Sequence, residues 1–564
     1  MGEQRRPSES LSVIQVSEMN SEFVVYRSMW KASAKHKASL PPDYPGWPDS
    51  GIAVMGDFSG IQTFVFRPVP GAGGAARRLR SRSFRVSAYS EMIMRWCHQS
   101  LAQGRPKVLY SAGGKFLMAV NALDGWEATL AKMRTDLNRW TWETFGGELL
   151  FHLAAAPFDQ GRVPHSALKE AIRASRTQPL ANVLISNGSW SENAFFAAAD
   201  FGDGKCDACA MTRQLTTNDD DEEICDGCTQ DEDTGRKLLN SKYALISPHA
   251  KADLSVLGTN MELSPRQTSA QGDWLAFEAN GNNANHWSVL RHFPRDGAKP
   301  LDFQEIADAS SGDRKWLGYL RIDGDRAGKH FEELQGDPQR MWALSRLLNS
   351  FFADTANQLL ARDTNIYSVY GGGDDLFVVG PWNELLHFAL RLRQQLRSVA
   401  GNELTFSAGL SLAKPKEHVL TQATLALQEL ESAKRRSGYG RQSGSDQIRA
   451  LGVTIDWETF EKLLPMAKDV TTWIERKEIP GSFLHQLLRL HHYWARAREE
   501  SRGRETATVL RYKPLLYYQI QRNLRPGKAR EWAQGLLKPD SLWPWADFIA
   551  RYAMLAASRV GGKE

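Results

Sequence analysis

The sequence predicts an α+β protein made of two split β-sheet units, a four-cysteine module between them and an all-α C-terminal region. Three observations carry this reading. From Leu317 the apolar pattern runs βαββαβ. An earlier stretch from Met55 opens in the same way and reaches a second glycine hairpin. Between the two stand Cys206-x-x-Cys209 and Cys225-x-x-Cys228, with fifteen residues separating the pairs. Units of βαββαβ order place helices on one face of an antiparallel sheet and present the central hairpin at its edge.

The elements follow in order. Residues 1–50 are polar, with Pro41, Pro42, Pro45 and Pro48 ahead of the first strand, and read as an arm or linker. The first unit covers 51–200. It begins with Met55-Gly-Asp-Phe-Ser59-Gly60-Ile-Gln-Thr-Phe-Val-Phe66 and leads into the basic run Arg77, Arg78, Arg80, Arg82 and Arg85. A helical run over Tyr89 to Leu101 and the hairpin Val108 to Leu117, with Gly113 and Gly114 at its turn, come next. The cysteine module occupies 201–245, and a strand-rich connector 246–310. The second unit, 311–450, starts with the strand that ends in Asp323-Gly-Asp325. An amphipathic helix over Pro338 to Arg362 then buries Met341, Leu344, Leu347, Leu348, Phe351 and Phe352 on one face. Strand-like runs Asn365 to Tyr370 and Leu376 to Gly380 flank Gly371-Gly372-Gly373-Asp374-Asp375. A helix over Trp382 to Val399, a strand over Leu404 to Leu412 and a helix over Val419 to Arg435 complete the unit. From 451 to 564 helical periodicity carries Trp457, Trp473, Trp494, Trp532, Trp543 and Trp545, read equally as core and as a contact surface.

Composition sets the class. With 564 residues and 42% hydrophobic content the chain has material for several cores. Its 70 Lys plus Arg against 65 Asp plus Glu give only +5, so any nucleic-acid footprint is local, in 77 to 85, 434 to 441 or 484 to 530. No run of eighteen apolar residues occurs, and Met1 to Glu18 lacks the apolar segment of a secretory signal, which predicts a cytoplasmic protein without membrane contact. In a reducing cytosol the paired cysteines Cys206, Cys209, Cys225 and Cys228 predict tetrahedral Zn²⁺. Four thiolates leave no open position, so the ion is structural and clamps the acidic loop Asn218 to Glu223. The fifth cysteine, Cys97, reads as a small core residue.

The hairpin carries the chemistry. Glycines at 371 to 373 permit positive φ and let backbone approach a phosphate, and Asp374 and Asp375 offer hard oxygen ligands for Mg²⁺ or Mn²⁺. If the strand ending at Asp323 lies beside the hairpin, three carboxylates converge there.

These stretches resemble the ferredoxin-like palm shared by diguanylate cyclases and by the large polymerase-like subunit of type III CRISPR-Cas effector complexes. In the cyclases a first-strand Asp and a hairpin carboxylate hold metal and a Lys of the last helix touches the triphosphate. Asp323, Asp375 and Lys434 stand at those positions, with Lys329 a weaker phosphate candidate. The hairpin ends Asp-Asp-Leu rather than Asp-Glu-Phe, and Gly56-Asp57-Phe58-Ser59-Gly60-Ile61-Gln62 resembles the signature opening the first of two palms in the CRISPR subunit. In the first palm Lys115 and Phe116 replace acids, so it reads as a degenerate copy, either binding a nucleotide or serving as scaffold.

The resemblance implies a catalytic trio of Asp323, Asp374 and Asp375. It implies nucleotide contacts at Ser59, Gly60, Gly113, Gly114, Gly372, Gly373, Lys329 and Lys434, and synthesis of cyclic oligoadenylate from ATP when target RNA is bound. It also implies partners: small, guide-capping and backbone subunits, guide RNA and target RNA. Many members carry an HD-type nuclease, but no His-Asp dipeptide occurs here, so no DNase activity is expected. A non-catalytic ribonucleoprotein scaffold and a stand-alone nucleotide cyclase are the alternative readings.

Overall fold

The computed structural model describes residues 12–32, 40–67, 74–102, 104, 106–121, 123–186, 189–190, 204–218, 221–278, 286–297, 299–362, 365–435, 445–539 and 541–558. Of the expected basic clusters, the part at 436–441 lies outside these residues, as do 191–200 of the first unit and 219–220 of the acidic loop.

Both sheet units form, and their topology is the same. The first contains β1 (Gly51–Ser59), helix α2 (Ala75–Leu101), β2 (Lys107–Ala112), β3 (Lys115–Val120), α3 (Trp126–Phe145), β4 (Leu150–Phe158) and α4 (His165–Thr177), with sheet order β2-β3-β1-β4. The pairing is antiparallel throughout. In β1, residues 52 to 58 are all buried, which is why this strand reads as a continuous apolar run. At Gly56 any Cβ would lie 2.4 Å from the Phe116 ring and 2.5 Å from that of Phe151, so only glycine admits this aromatic pair.

The polar N-terminal stretch is not simply a linker. A helix, α1, spans Ser12–Lys31, and its Phe23, Tyr26, Met29 and Trp30 are buried in the core that includes Trp342 of the second unit. Tyr26 meets Trp342 edge to face at 5.5 Å. Its pattern of four apolar residues in two turns is short, and the flanking polar residues and prolines mask it.

After the cysteine module, helix α5 (Asp226–Leu238) leads to a sheet of β5 (Tyr243–Ser247), β6 (Leu254–Val256), β7 (Thr259–Ser264) and β8 (Asp273–Ala276) in the order β6-β7-β5-β8. The second unit contains β9 (Leu317–Gly324), α6 (Pro338–Asn349), β10 (Tyr367–Gly372), β11 (Asp375–Pro381), α7 (Trp382–Ala400), β12 (Phe406–Ala413) and α8 (Val419–Arg435). Two further strands, β13 (Gln447–Ala450) and β14 (Val453–Asp456), extend its sheet to the order β10-β11-β9-β12-β13-β14. Helix α6 starts where Asp337 accepts the Gln339 and Arg340 N–H groups at 3.1 Å and Pro338 takes the first turn. At its far end it widens into a π-turn, Ser350–Thr355, before continuing through Ala356–Leu360.

The C-terminal region is helical from Trp457 to Ala556. Trp457, Trp494, Trp532 and Trp543 are buried, and Trp473 and Trp545 pack against the same core, so these tryptophans are packing residues. Cys97 is fully buried, as expected.

Candidate active site

The acids of the second unit come together through strand register. Pairing of β9 with β11 sets Asp323 opposite Asp375, and the Gly324 N–H donates to the Asp374 carbonyl at 2.7 Å. All three carboxylates are therefore at one end of the sheet, each half-buried. The turn between β10 and β11 needs its glycines: Gly372 and Gly373 have φ of 145° and 66°, and a Cβ on Gly371 would lie 2.7 Å from the Phe352 carbonyl oxygen. Asn349, the last residue before the π-turn, accepts the Gly373 N–H at 3.1 Å and so ties the tip to α6.

Charge at the tip is poorly compensated. Burial, then the adjacent Asp374 carboxylate, push the Asp375 carboxyl up to about 7, against the pull of Arg321 and Lys115. Burial and Asp323 raise Asp374 as well. Asp323 is ion-paired with Lys434, whose Nζ also donates to the Gly324 carbonyl at 3.4 Å. Asp325, the second acid of the strand end, has a different task. It is 5% exposed and accepts the Thr405 and Ser407 hydroxyls at 2.7 Å and the Asp446 N–H at 2.8 Å, which fixes the edge of β12. Hard oxygen donors carrying excess negative charge fit a divalent cation such as Mg²⁺. The carboxylate oxygens are nevertheless not gathered as tightly as the cysteine sulfurs, the one set among the described residues whose ligand atoms all lie within 4.8 Å of each other.

The first unit repeats this arrangement with its charges exchanged. Register sets Asp57 opposite Lys115, as Asp323 is set opposite Asp375, and Arg176 near the end of α4 pairs with Asp57 as Lys434 of α8 pairs with Asp323. Lys115 Nζ lies 4.0 Å from the same carboxylate. Two side-chain cations, Lys115 and Arg176, thus flank the Asp57 carboxylate of the first unit. Asp57 and Arg176 were not singled out from sequence; the shared strand-end aspartate was the available signal.

The two hairpins face each other. A Cβ on Gly113 would stand 3.7 Å from the Gly372 carbonyl oxygen, and a groove between the turns is lined by Gly113, Gly114, Gly371, Gly372 and Asn349. Ser87 and Ser90 of α2 and Ser288 add hydroxyls to its wall. These polar residues lie outside any motif; Ser87 and Ser90 carried only the signal of a polar residue interrupting an apolar helix face, and Ser288 carried none. Three sequence candidates are placed elsewhere. Ser59 Oγ is 2.8 Å from His152 Nε2, Gly60 packs so closely on Glu148 that a Cβ would come within 2.0 Å of its carbonyl oxygen, and neither lines the groove. Lys329 is exposed on a short helix, 3.9 Å from Glu333.

The cysteine module is built as expected. Cys206, Cys209, Cys225 and Cys228 are buried together, and the Cys225 N–H donates to Cys206 Sγ at 3.3 Å. Hydrogen bonding among the four thiols pulls Cys206 below its usual pKa and pushes Cys228 up. Four soft donors at this spacing fit Zn²⁺.

The basic run is corrected by the structure. It lies within α2 rather than ahead of it, and Arg78, Arg80, Arg82 and Arg85 are buried and Arg77 half-buried rather than solvated. Arg82 Nε and Arg85 Nη1 each reach Asp231 of α5 at 2.6 Å, Arg78 reaches Glu232 at 2.5 Å, and Arg82 Nη2 donates to Cys228 Sγ at 3.5 Å. These pairs join the cysteine module to the helix that walls the groove.

Comparison with known proteins follows the same division. Residues 316–443 match the family described as Cas10/Cmr2, second palm domain, and residues 52–182 match Csm1 subunit domain B. A Mycobacterium tuberculosis protein named CRISPR system single-strand-specific deoxyribonuclease Cas10/Csm1 (subtype III-A) is 25% identical over 430 residues, 67% of this chain and 52% of that protein. A Thermococcus onnurineus protein of the same name is 23% identical over 457 residues, 73% and 58% of the two chains. The chain therefore spans little more than half the length of these relatives. Among solved structures, a Csm1-Csm4 cassette in complex with cA3 superposes with a TM-score of 0.67 at 16% identity, covering 94% of this chain and 72% of that one. The cassette in complex with one ATP gives 0.67 at 17% identity with the same coverage. These likenesses show the fold. Among the described residues no helix is long and apolar enough to cross a membrane.

Proposed function

Because this chain is related along both palms to the Cas10/Csm1 large subunit of type III-A CRISPR systems, we propose that it joins ATP into cyclic oligoadenylate within such a complex. The observation that carries the reading is the pair of facing glycine hairpins, one keeping acids with uncompensated charge and the other a cation in the matching place. Relatives of this architecture have been seen in complex with ATP, pppApA, cA3 and cA4, and together with Csm4. On this reading the partners are a Csm4-like guide-capping subunit, small and backbone subunits, guide RNA and target RNA, and the setting is the cytoplasm.

Each site residue has a role within the proposal. Asp323, Asp374 and Asp375 would hold Mg²⁺ or Mn²⁺, which when bound would supply Lewis-acid charge to the triphosphate and acidify the attacking hydroxyl. Lys434, released from Asp323, neutralises part of the phosphate charge, and Gly372 and Gly373 let the triphosphate approach the backbone. Gly113 and Gly114 border the place for a second nucleotide, whose 3′-oxygen bonds to the α-phosphorus of the first as pyrophosphate leaves. Asn349 holds the tip during this exchange. Ser59, Gly60 and Lys329 have no place in the groove and drop out of the proposed contact set. Zn²⁺ at the four cysteines is structural.

The relatives' names carry single-strand cleavage; the residues present contain no His-Asp dipeptide, and the proposal does not extend to that activity. The test of the main reading is pyrophosphate release from ATP by the assembled complex with guide, target RNA and Mg²⁺. Asp374→Ala with Asp375→Ala is expected to abolish it, and release at an unchanged rate places the chemistry elsewhere.

A further inference from the structure

Behind the acidic hairpin, between α2 and β10, lies a second cavity with unbalanced positive charge. Arg80 of α2 and Arg291 of the segment before β9 both line it. Arg80 is 3% exposed; its Nε donates to the Tyr367 hydroxyl at 3.2 Å and its guanidinium lies 4.3 Å over the Phe293 ring, yet its Nη1 has no partner. Arg291 Nη1 donates to the Ser241 carbonyl at 2.7 Å, and its Nε has no partner either. The hydroxyl of Tyr370, which closes the cavity toward the hairpin, is a third buried group left unpaired.

No acidic side chain lines this space, and among the described residues neither arginine pairs with a carboxylate. The contrast with the rest of α2 is informative. Arg78, Arg82 and Arg85 each take an acid of α5, so the helix meets its charge requirement everywhere except at Arg80. Buried guanidiniums without a counter-ion lose hydration that nothing replaces. Burial, reinforced by Arg295 and Arg80 against Glu278, pulls Arg291 down to about 10. Ser83 and Ser87, one helical turn apart, put two hydroxyls on the same wall.

We propose that this cavity is a binding site for a phosphoryl anion, held by Arg80 Nη1 and Arg291 Nε with Ser83, Ser87 and Tyr370 as supporting donors. Planar guanidiniums and hydroxyls are the donor set that phosphate oxygens use. The cavity shares Ser87 and Gly371 with the groove between the hairpins, so the anion has two sources: free phosphate or pyrophosphate, or the polyphosphate end of a bound nucleotide. The site requires only the charges described and stands whether or not the acidic palm is catalytic.

Equilibrium dialysis of the full chain against radiolabelled pyrophosphate tests it. EDTA is present throughout, so that the metal-free acids at the hairpin repel the probe. Saturable one-to-one binding is expected for the wild type. Arg291→Gln is expected to weaken it about tenfold or more, as loss of a charge-assisted hydrogen bond does. Ser87→Leu fills the cavity while keeping both arginines and is expected to have the same effect, and Arg291→Lys to restore part of the binding. Competition by metal-free ATP assigns the source: equal displacement places a nucleotide's phosphates in the cavity, and none leaves it to the free anion. No binding by the wild type, or equal binding by wild type, Arg291→Gln and Ser87→Leu, overturns the proposal.

Discussion

Raising the pH of the metal-free protein through 7 is expected to weaken the fold and, at the same time, to open the hairpin to a divalent cation. The cause is Asp375, whose carboxyl is held at about 7 by burial and by Asp374. Its unfolded counterpart titrates near 3.9. A folded pKa raised above the unfolded one contributes stability that is fully present below about pH 4 and is lost as the pH rises through 7. The same titration controls metal affinity, because a cation binds the ionised carboxylate. With a pKa of about 7, roughly a tenth of Asp375 is ionised at pH 6, about half at pH 7 and about nine-tenths at pH 8. Apparent Mn²⁺ affinity should therefore rise about tenfold from pH 6 to pH 8 and then level off. Electron paramagnetic resonance of free Mn²⁺ measures the affinity, and calorimetry in two buffers of different ionisation heat counts the proton released. Asp375→Asn should flatten the profile. A wild-type affinity that is constant from pH 6 to pH 8, or an equal slope in Asp375→Asn, would refute the electrostatic account of the hairpin.

Other perturbations have definite outcomes. Asn349→Ala removes the acceptor of the Gly373 N–H and should slow pyrophosphate release about tenfold or more while the melting temperature stays nearly unchanged. Lys434→Ala should raise the KM for ATP about tenfold, read from initial rates at varied ATP, with Lys434→Arg recovering part of the loss. Asp231→Asn leaves Arg82 and Arg85 buried without their acid and should cost about 3–5 kcal/mol in urea denaturation. Burial alone would raise Asp231, but Arg82 and Arg85 hold it below its usual value, so its contribution is present at neutral pH and fades as the pH falls through that depressed pKa. If the four cysteines hold a metal ion as proposed, a chelator should abolish hydrogen-exchange protection over 204–218 and 221–238 and leave β9 to β12 protected.

Much of this architecture was legible because its signals are local. Period-two and period-3.6 apolar patterns gave the second palm, since β9, α6, β10, β11, α7, β12 and α8 each alternate or repeat within a few residues. The glycine runs and cysteine pairs announced a tight turn and a metal site for the same reason. Helix α1 was hidden because a few apolar residues among polar ones gain meaning only against Trp342, more than three hundred positions away. The run from Arg77 to Arg85 misled because charge in a sequence looks solvated until its partners are known, and Asp231 and Glu232 lie about 150 residues downstream. Ser59 and Gly60 were chosen from a motif in which Ser59 turns out to bond His152 and Gly60 to pack against Glu148.

The sequence by itself determined which residue types were on offer: the paired acids on a glycine turn, the four sulfurs, and the lysine that stands in the first hairpin. Covalent spacing and side-chain type decide those matters before folding. Only the tertiary structure decided what each group faces. Strand register set Asp323 against Asp375 and Asp57 against Lys115, packing brought two hairpins across one groove, and burial left Arg80 and Arg291 without acids while Arg78, Arg82 and Arg85, neighbours of Arg80 on α2, were paired. The physical reason is that charge interactions and desolvation depend on distance through space and on access to water, neither of which is encoded in the order of residues along the chain.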